Sequence, residues 1–207
     1  MAKLYFRYGT VGSAKTLNLL AVAHNYQQQN KRVFLLKPQL DIRFGAEEVT
    51  SRSGLTKKAD QLVTDHTVFD TADFEGVDCV VVDEAQFLSV SVINQLRSIA
   101  TCQKIPIICY GLRTDFRGQL FDGSKRLLEI ADSIEEIKTT CAYCNRKAIF
   151  NLKLIDGSPT LEGPTIELGA EEKYLPACSS CYFDRLEHSH PVSPFTRTTN
   201  RIPGHIL

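Results

Sequence analysis

The stretch that most constrains the fold of this chain is residues 9–16, which read Gly-Thr-Val-Gly-Ser-Ala-Lys-Thr. It follows directly on the apolar and aromatic run Leu4–Tyr8, and a helical pattern begins at about Thr16. A glycine-containing turn that ends in Lys-Thr and joins a strand to a helix is typical of a phosphate-binding loop. In such a loop the backbone N–H groups and the start of the helix face anionic phosphates. These residues therefore predict a strand–loop–helix unit that binds a nucleotide.

The side chains at the end of this loop have separate predicted roles. Lys15 can reach the terminal phosphates of ATP, and the Thr16 hydroxyl can ligate Mg²⁺. Ala14 stands where the usual pattern has glycine, and its methyl group restricts the backbone if this position needs an unusual geometry. An inactive nucleotide-binding scaffold would be favoured if Ala14 abolished ATP binding. The predicted nucleotide-binding residues of the loop are Gly9, Gly12, Ser13, Ala14, Lys15 and Thr16.

Segments typical of strands and of helices alternate along residues 1–140. Further strand patterns lie at residues 33–36, 77–82 and 105–110, and a helical pattern lies at residues 88–99. The run at 77–82 is dense in β-branched residues, which indicates a strand buried on both faces. The alternation predicts an α/β fold of the P-loop NTPase (RecA-like) kind, a parallel sheet with helices on both faces. Residues 43–70 are polar and weakly periodic, so we expect a long, partly mobile loop there.

An acidic pair, Asp83 and Glu84, directly follows the buried strand. Side chains at the carboxyl end of such a strand project into the crevice where parallel sheets bind ligands. Asp83 fits the residue that holds Mg²⁺, usually through water, and Glu84 could accept a proton from an incoming hydroxyl. Together with the loop, the pair predicts a nucleotide hydrolase or a kinase. Asp-Glu-Ala-Gln also resembles the acidic box of helicase-type ATPases, but a helicase core needs two such domains and this chain has room for one.

Seven cysteines include two Cys-x-x-Cys pairs, which in a reducing cytosol indicate metal ligands rather than disulfides. Four thiolates with no open position are typical of structural zinc. We expect a small β-rich zinc-binding domain at 141–187, after a nucleotide-binding domain at 1–140 and before a flexible tail at 188–207. The remaining cysteines, which we expect to be buried thiols, are Cys79, Cys102 and Cys109. The predicted zinc ligands are Cys141, Cys144, Cys178 and Cys181.

Charge and hydropathy limit the classes of partner. Lys and Arg total 24, as do Asp and Glu, so the formal net charge is zero. Proteins that bind nucleic acid through many phosphates have a basic excess, and we therefore expect no nucleic-acid partner. No apolar run approaches the roughly 18 residues of a membrane span, and the first residues lack the pattern of a secretion signal. The expected location is the cytoplasm, with no membrane partner.

One longer motif is specific enough to indicate a family. Residues 111–118 read Gly-Leu-Arg-Thr-Asp-Phe-Arg-Gly, and they lie between the Asp-Glu-Ala-Gln-Phe segment and the two cysteine pairs. Residues 40–45 and the pair Lys173-Tyr174 match the same family. In this order, and over about residues 3–186, the motifs resemble those of the type II thymidine kinases, the zinc-containing cytosolic family.

The resemblance implies a reaction in which ATP phosphorylates thymidine. Glu84 would be the general base that removes the proton of the 5′-hydroxyl, and Arg43 would approach the transferring phosphoryl group. Asp83 and Asp41 would complete the surroundings of the Mg²⁺ held with ATP. The residues implied to form the thymine pocket are Phe87, Leu112, Phe116, Phe121 and Tyr174, the last on a loop that covers the base.

The resemblance also implies one structural zinc in the cysteine pairs, a homotetramer, and feedback inhibition by thymidine triphosphate. The family has Gly-Gly ahead of the loop tyrosine, where this chain has Gly169-Ala170. A second function remains open on the residues alone, that of a stand-alone P-loop ATPase or a zinc-ribbon ATPase. Stimulation by DNA or RNA rather than by a nucleoside would distinguish it from a kinase.

Overall fold

The computed structural model describes residues 2–42, 45, 47–165 and 173–189. The strands in these ranges are β1 (Leu4–Tyr8), β2 (Val33–Pro38), β3 (Glu48–Thr50), β4 (Thr56–Lys58), β5 (Gln61–Val63), β6 (Cys79–Val82), β7 (Ile107–Gly111), β8 (Ser133–Glu136), β9 (Phe150–Ile155), β10 (Ser158–Thr160) and β11 (Tyr174–Ala177). The α-helices are α1 (Lys15–Gln28), α2 (Val90–Cys102), α3 (Asp122–Ile130) and α4 (Ser179–Ser189). Short 3₁₀ helices cover Thr71–Phe74 and Ala85–Phe87.

The main sheet has six strands in the order β5-β2-β6-β7-β1-β8, and every neighbouring pair is parallel. At the end of β6, Val82 lies beside Leu36 of β2 and Cys109 of β7. Because parallel strands all end at one edge, the loops that follow β1, β6 and β7 come together there. The predicted fold class, a parallel α/β sheet with helices, is confirmed.

Both faces of the sheet are covered by helices, and β6 demonstrates this directly. Val80 and Val82 pack into the core that contains residues of α2 and α3, whereas Cys79 and Val81 pack into the core that contains residues of α1. All four residues of the strand are buried. Alternate side chains of a strand point to opposite faces, so the dense β-branched run reflects burial on both sides.

The expectation of a long mobile loop at residues 43–70 is wrong for the part that the structure describes. Strands β3 and β4 pair as an antiparallel hairpin, and β5 joins the main sheet beside β2. The Asp60 carboxylate, just before β5, accepts a hydrogen bond of 2.7 Å from the Leu35 N–H. A strand of three residues is too short to show periodicity in the sequence. Such strands are held in place by hydrogen bonds to residues far along the chain, such as the one between Leu35 and Asp60.

A second, smaller unit follows the main sheet, and we call residues 141–189 the cysteine unit. Its antiparallel sheet has the order β10-β9-β11, and α4 packs on it. The buried core consists of Leu152, Ala177, Tyr182 and Leu186. Helix α4 is not among the sequence-based expectations, and it extends past residue 188, where we expect the tail to begin. The domain limits stay a prediction, and residues 190–207 lie outside the described residues.

The cysteines outside the two pairs differ in burial. Cys79 and Cys109 are fully buried as expected, but Cys102, at the end of α2, is exposed, so the expectation is wrong for this residue. Burial raises the pKa of the Cys79 thiol to about 11 and also raises the pKa of Cys109. Both thiols therefore behave as small apolar groups. None of the helices in the described ranges is long and apolar enough to cross a membrane.

Candidate active site

A cavity of about 300 Å³ lies along the segments that follow β1, β2, β6 and β7. The β3–β4 hairpin lines it from one side, and the cysteine unit contributes residues such as Asn151 and Tyr174. Ligands of parallel sheets bind at this edge because several loops with free backbone groups meet there. The cavity is therefore where nucleotide chemistry in this fold is expected.

The loop between β1 and α1 has a tightly packed backbone. A Cβ on Gly9 would lie 2.6 Å from the Ile137 carbonyl oxygen, so only glycine fits there. The Lys15 side chain is buried, and its Nζ donates a hydrogen bond of 2.8 Å to the Thr10 carbonyl. This contact keeps the ammonium group at the loop, where it can meet an anionic ligand.

Ala14 has the backbone geometry that normally requires glycine. Its φ of 61° and ψ of 30° lie in the left-handed region, directly before α1 begins. An L-residue in this region costs about 1–2 kcal/mol relative to the right-handed one. The Ala14 side chain is exposed, so the cost of this position is one of backbone strain.

The start of α1 and the end of β6 bring two oxygen ligands together. The Thr16 hydroxyl lies 3.2 Å from Oδ2 of Asp83 and 3.4 Å from its Oδ1. Asp83 is 4% exposed. Hydroxyl and carboxylate oxygens are the donors that Mg²⁺ prefers. The pair fits a Mg²⁺ ion shared with the phosphates of a nucleotide.

Glu84 is held in an unusual backbone conformation beside this pair. Its φ of 47° is left-handed, and it precedes the 3₁₀ helix Ala85–Phe87. Glu84 is 7% exposed, and its carboxylate accepts a hydrogen bond from the Gln86 amide. The Gln86 Oε1 in turn accepts the Leu112 N–H at 2.9 Å. Gln86 therefore joins the acidic segment to the end of β7, a role that its place in the motif does not indicate.

Space for this bridge depends on a glycine at the end of β7. A Cβ on Gly111 would lie 2.6 Å from the Gln86 Oε1. The motif at residues 111–118 begins with this glycine, and the contact gives one physical reason for it. Both residues stand in sequence motifs, Gln86 in the acidic segment and Gly111 at the start of residues 111–118. Only the contact between them in the structure shows why each residue type is needed.

All five residues predicted to form the thymine pocket line the same cavity. The rings of Phe87 and Phe121 meet edge to face with centroids 5.7 Å apart, and those of Phe116 and Tyr174 are 6.2 Å apart. Phe116 is buried, whereas Leu112 and the other three aromatic residues are half-buried. Aromatic walls with few polar groups suit a flat heterocyclic base.

Two cations that the sequence analysis did not assign contact the Phe116 ring. The Arg117 guanidinium lies 4.3 Å from the ring centroid, and the Lys153 Nζ lies 4.8 Å from it. Cation–π contacts at these distances stabilise the orientation of the ring. Lys153 is only 1% exposed and belongs to β9, so the cysteine unit helps to hold the aromatic wall.

Arg117 also contacts the segment that leads into the predicted covering loop. Its guanidinium donates to the Leu161 carbonyl at 3.0 Å and to the Thr165 hydroxyl at 3.0 Å, and it also donates to the Gly163 carbonyl. From α4, the Tyr182 hydroxyl donates to the Phe116 carbonyl at 2.5 Å. Residues 111–118 are therefore bound to the cysteine unit at several points.

Asp41 lines the cavity but is also part of a buried ion pair. Its Oδ2 lies 3.8 Å from the Nζ of Lys37, and both side chains are almost fully buried. Lys37 further donates to the carbonyls of Gly45 at 3.0 Å and Glu48 at 2.7 Å. The lysine thus ties the start of the β3–β4 hairpin to β2. Arg43, the other residue predicted on this segment, lies outside the described residues.

Arg52, on the turn of the hairpin, is a basic residue of the cavity that the sequence analysis missed. Its Nη1 lies 3.9 Å from the position of a Cβ on Gly12, so the guanidinium lies close to the phosphate loop. A single arginine in a polar segment carries no pattern of its own. The folding of the hairpin alone brings it to the cavity.

The four paired cysteines form one cluster. Their Sγ atoms all lie within 4.8 Å of one another, with 3.6 Å between Cys144 and Cys178 and 3.8 Å between Cys144 and Cys181. Tetrahedral zinc with Zn–S bonds of about 2.3 Å places its sulfurs about 3.8 Å apart. None of the cysteines forms a disulfide. The donor set and spacing therefore fit zinc.

The pKa values of two thiols in the cluster are shifted in opposite directions: a hydrogen bond with the Cys178 thiol and desolvation raise the pKa of Cys181 to about 12. Desolvation acts to raise the pKa of the Cys141 thiol, but hydrogen bonds from the backbone of Cys178, Tyr143 and Cys144 outweigh it and lower the pKa to about 6. The thiolate is the form that ligates a metal. Backbone donors around the cluster thus favour the ligand form of at least one cysteine.

The fold and the cavity together define a P-loop nucleotide-binding enzyme with a pocket for a second, aromatic ligand. The family model described as thymidine kinase matches residues 2–182. A thymidine kinase of Lactiplantibacillus plantarum is 45% identical over 185 residues, which cover 88% of this chain and 96% of the relative. One from Lactococcus lactis is 43% identical, over 88% of this chain and 98% of the relative. The chain belongs to the thymidine kinase family, and the prediction of an enzyme of this family is confirmed.

Among solved structures, the Pif1 helicase of Candida albicans has a TM-score of 0.40 and 12% identity, over 66% of this chain and 36% of that one. A likeness this distant carries no argument about function.

Proposed function

We propose that this chain transfers the γ-phosphoryl group of ATP to the 5′-hydroxyl of thymidine. The observation that supports this most directly is that one cavity is lined by the phosphate loop, by the buried carboxylate of Glu84 and by the aromatic wall. A nucleotide hydrolase needs only a water molecule beside the phosphates. A pocket with aromatic walls indicates a second substrate with a flat ring.

In the proposed reaction, Glu84 accepts the proton of the 5′-hydroxyl while the oxygen attacks the γ-phosphorus and ADP leaves. Gln86 orients the Glu84 carboxylate, and the positive groups of Lys15 and Arg43 stabilise the charge that develops on the phosphoryl oxygens. Mg²⁺ bound with ATP near Thr16, Asp83 and Asp41 would neutralise part of that charge. The phosphate loop residues Gly9, Gly12, Ser13 and Ala14 would supply backbone contacts.

The base would lie between Phe87, Leu112, Phe116 and Phe121, with Tyr174 closing over it. We infer that Cys141, Cys144, Cys178 and Cys181 hold one structural zinc, which ties the two ends of the covering loop together. Without such a closure, ordering a loop of this length would cost more conformational entropy.

Family membership supports three further parts of the proposal, a cytoplasmic location, a homotetramer and inhibition by thymidine triphosphate. Light scattering tests the tetramer, and inhibition kinetics with thymidine triphosphate test the feedback. A monomer in light scattering would contradict the tetramer. No inhibition by thymidine triphosphate, with ATP at a concentration that saturates the enzyme, would contradict the feedback.

The decisive experiment measures transfer of labelled phosphate from ATP to thymidine, deoxyuridine, deoxycytidine and deoxyadenosine. We expect thymidine to be labelled and Glu84→Gln to reduce kcat by about 10²–10⁴-fold, the usual contribution of a general base. Glu129→Gln, at an exposed site on α3, serves as the matched control and should keep full activity. If no nucleoside is labelled but ATP is hydrolysed when DNA or RNA is added, the chain is an ATPase instead.

A further inference from the structure

Asn151 is a buried amide whose two ends bind different parts of the molecule. It is 4% exposed, and its Oδ1 accepts the Val11 N–H at 2.8 Å. Its Nδ2 donates to the Thr114 carbonyl at 3.0 Å. Asn151 belongs to β9 of the cysteine unit, whereas Val11 lies in the phosphate loop and Thr114 in the segment after β7. One side chain therefore joins three segments that are far apart in the sequence.

The part of the phosphate loop that Asn151 contacts has little regular structure of its own. Gly12, next to Val11, and Ala14 both have left-handed φ values, of 72° and 61°. Within the loop, the Ser13 N–H donates to the Thr10 carbonyl over a long 3.3 Å. The shorter bond from Val11 to Asn151 thus restrains the loop from outside.

The position of Asn151 depends on the strand that carries it. In β9, Asn151 lies beside Pro176 of β11, and β11 ends at Ala177, directly before Cys178. The pairing of these strands is therefore continuous with the cysteine cluster. No cysteine of the cluster lines the cavity in the described residues, so any effect of the cluster on the phosphate loop must pass through contacts such as this one.

We propose that Asn151 is a positioning residue that holds the phosphate loop in its nucleotide-binding shape and thereby couples nucleotide affinity to metal binding in the cysteine unit. The identity of the nucleotide, ATP, rests on the function proposed above. A bound metal stabilises the pairing of β9 with β11, this pairing places the Asn151 amide, and the amide fixes the backbone at Val11. Loss of either the metal or the amide frees the same part of the loop.

The test compares nucleotide dissociation constants of the full zinc-loaded chain and its variants, measured with a fluorescent ATP analogue. We expect Asn151→Ala to weaken binding about tenfold because, of its two hydrogen bonds, the one from the Val11 N–H restrains the phosphate loop. Removing zinc by chelation should weaken the wild type by a similar factor but should have almost no further effect on Asn151→Ala. Asn25→Ala, at an exposed site on α1, is the matched control and should behave as the wild type.

Equal dissociation constants for Asn151→Ala and the wild type would overturn the proposal. So would an equal loss on zinc removal in both proteins, because the two perturbations would then act independently. Asn151 could instead serve only the stability of the cysteine unit. Asn151→Ala would then lower the melting temperature of the protein, but zinc removal would weaken nucleotide binding in the variant as much as in the wild type, which would overturn the proposal.

Hydrogen exchange of the Val11 amide in the wild type gives a second measurement that needs neither a variant nor ATP. We expect exchange at Val11 to become faster when zinc is removed, while exchange within β6 stays slow. Unchanged protection of Val11 would overturn the proposal even if Asn151→Ala fails to fold. The wild type could show the expected change in hydrogen exchange at Val11 and yet fail to bind ATP. That result would contradict the proposed function but not the role of Asn151.

Discussion

Ala14 shows how a single residue can be strained while the fold around it is kept. The position requires left-handed backbone geometry, and its side chain is exposed. Glycine would adopt this geometry without a steric penalty, although it would also give the unfolded chain more freedom. The balance between these two effects can be measured.

Replacing Ala14 by glycine should stabilise the protein. Relief of about 1–2 kcal/mol of strain exceeds the loss of about 0.4–1 kcal/mol that glycine causes through the unfolded state. We expect a net gain of about 0.5–1 kcal/mol in the free energy of unfolding, measured by urea denaturation. The same substitution at Ala21, exposed within α1, should instead cost about 1 kcal/mol. If both variants lose stability, the strain at Ala14 is not as described.

The residues of the site differ in how readily the sequence reveals them. Lys15, Asp83 and Glu84 are identified by their place at the ends of strands and in motifs of fixed spacing. Gln86 stands in the same motif as Glu84, and Arg117 stands in the motif at residues 111–118. Their roles depend on partners in other segments, Leu112 for Gln86 and Leu161 for Arg117. Spacing within a motif does not identify such partners.

At the scale of elements, close packing explains how the acidic segment is held. Helix α3 begins against the 3₁₀ helix Ala85–Phe87, and a Cβ on Gly123 would lie 2.6 Å from the Ala85 carbonyl. The first turn of α3 can lie this close only because it carries a glycine. The segment that bears Glu84 is thereby supported by α3 on one side and by the end of β7 on the other.

The β3–β4 hairpin depends on one buried lysine. Lys37→Met should remove the donor to the Gly45 and Glu48 carbonyls and leave the buried Asp41 carboxylate without this counter-charge. Breaking a buried ion pair by removing one partner costs about 3–5 kcal/mol. We therefore expect the free energy of unfolding in urea to fall by about 3 kcal/mol.

A double variant separates the charge from the carbonyl contacts. Lys37→Met combined with Asp41→Asn should recover part of the loss, because the buried negative charge that has lost Lys37 is removed as well. Lys125→Met, at an exposed site on α3, is the control and should change stability little. A Lys37→Met protein as stable as this control would contradict the proposed anchoring role.

At the scale of the whole molecule, the cavity is lined both by the loops at one edge of the main sheet and by residues of the cysteine unit. The contacts of Arg117 and Tyr182 join residues 111–118 to Leu161, which precedes the second cysteine pair, and to α4, which carries the end of that pair. Metal binding should therefore influence the base pocket as well as the stability of the small sheet.

Removal of the metal should weaken thymidine binding. With the cluster unligated, we expect β9 and β11 to lose their fixed arrangement. The dissociation constant for thymidine, measured by equilibrium dialysis, should then rise at least about tenfold. Adding zinc back should restore it. Cys144→Ser should reproduce the loss, whereas Cys102→Ser, at an exposed thiol outside the cluster, should not. Unchanged thymidine binding in the metal-free protein would contradict this expectation.

The sequence by itself determined the parallel α/β fold, the edge of the sheet that carries the site, and the four cysteines that cluster. Each of these follows from local pattern, because strand periodicity, the strand–loop–helix order and the Cys-x-x-Cys spacing involve neighbouring residues. Family motifs added the type of reaction. The short strands β3, β4, β5 and β8 and the helices α3 and α4 are not among the predicted elements, because segments so short or so polar have weak local preference.

The tertiary structure alone decided which distant groups meet. Asn151 binds the phosphate loop 140 residues away, Lys37 holds the hairpin, and Arg52 reaches the cavity only because the hairpin folds over it. Such contacts depend on how the main sheet and the cysteine unit pack together, and a buried hydrogen bond between distant segments leaves no periodic trace in either of them.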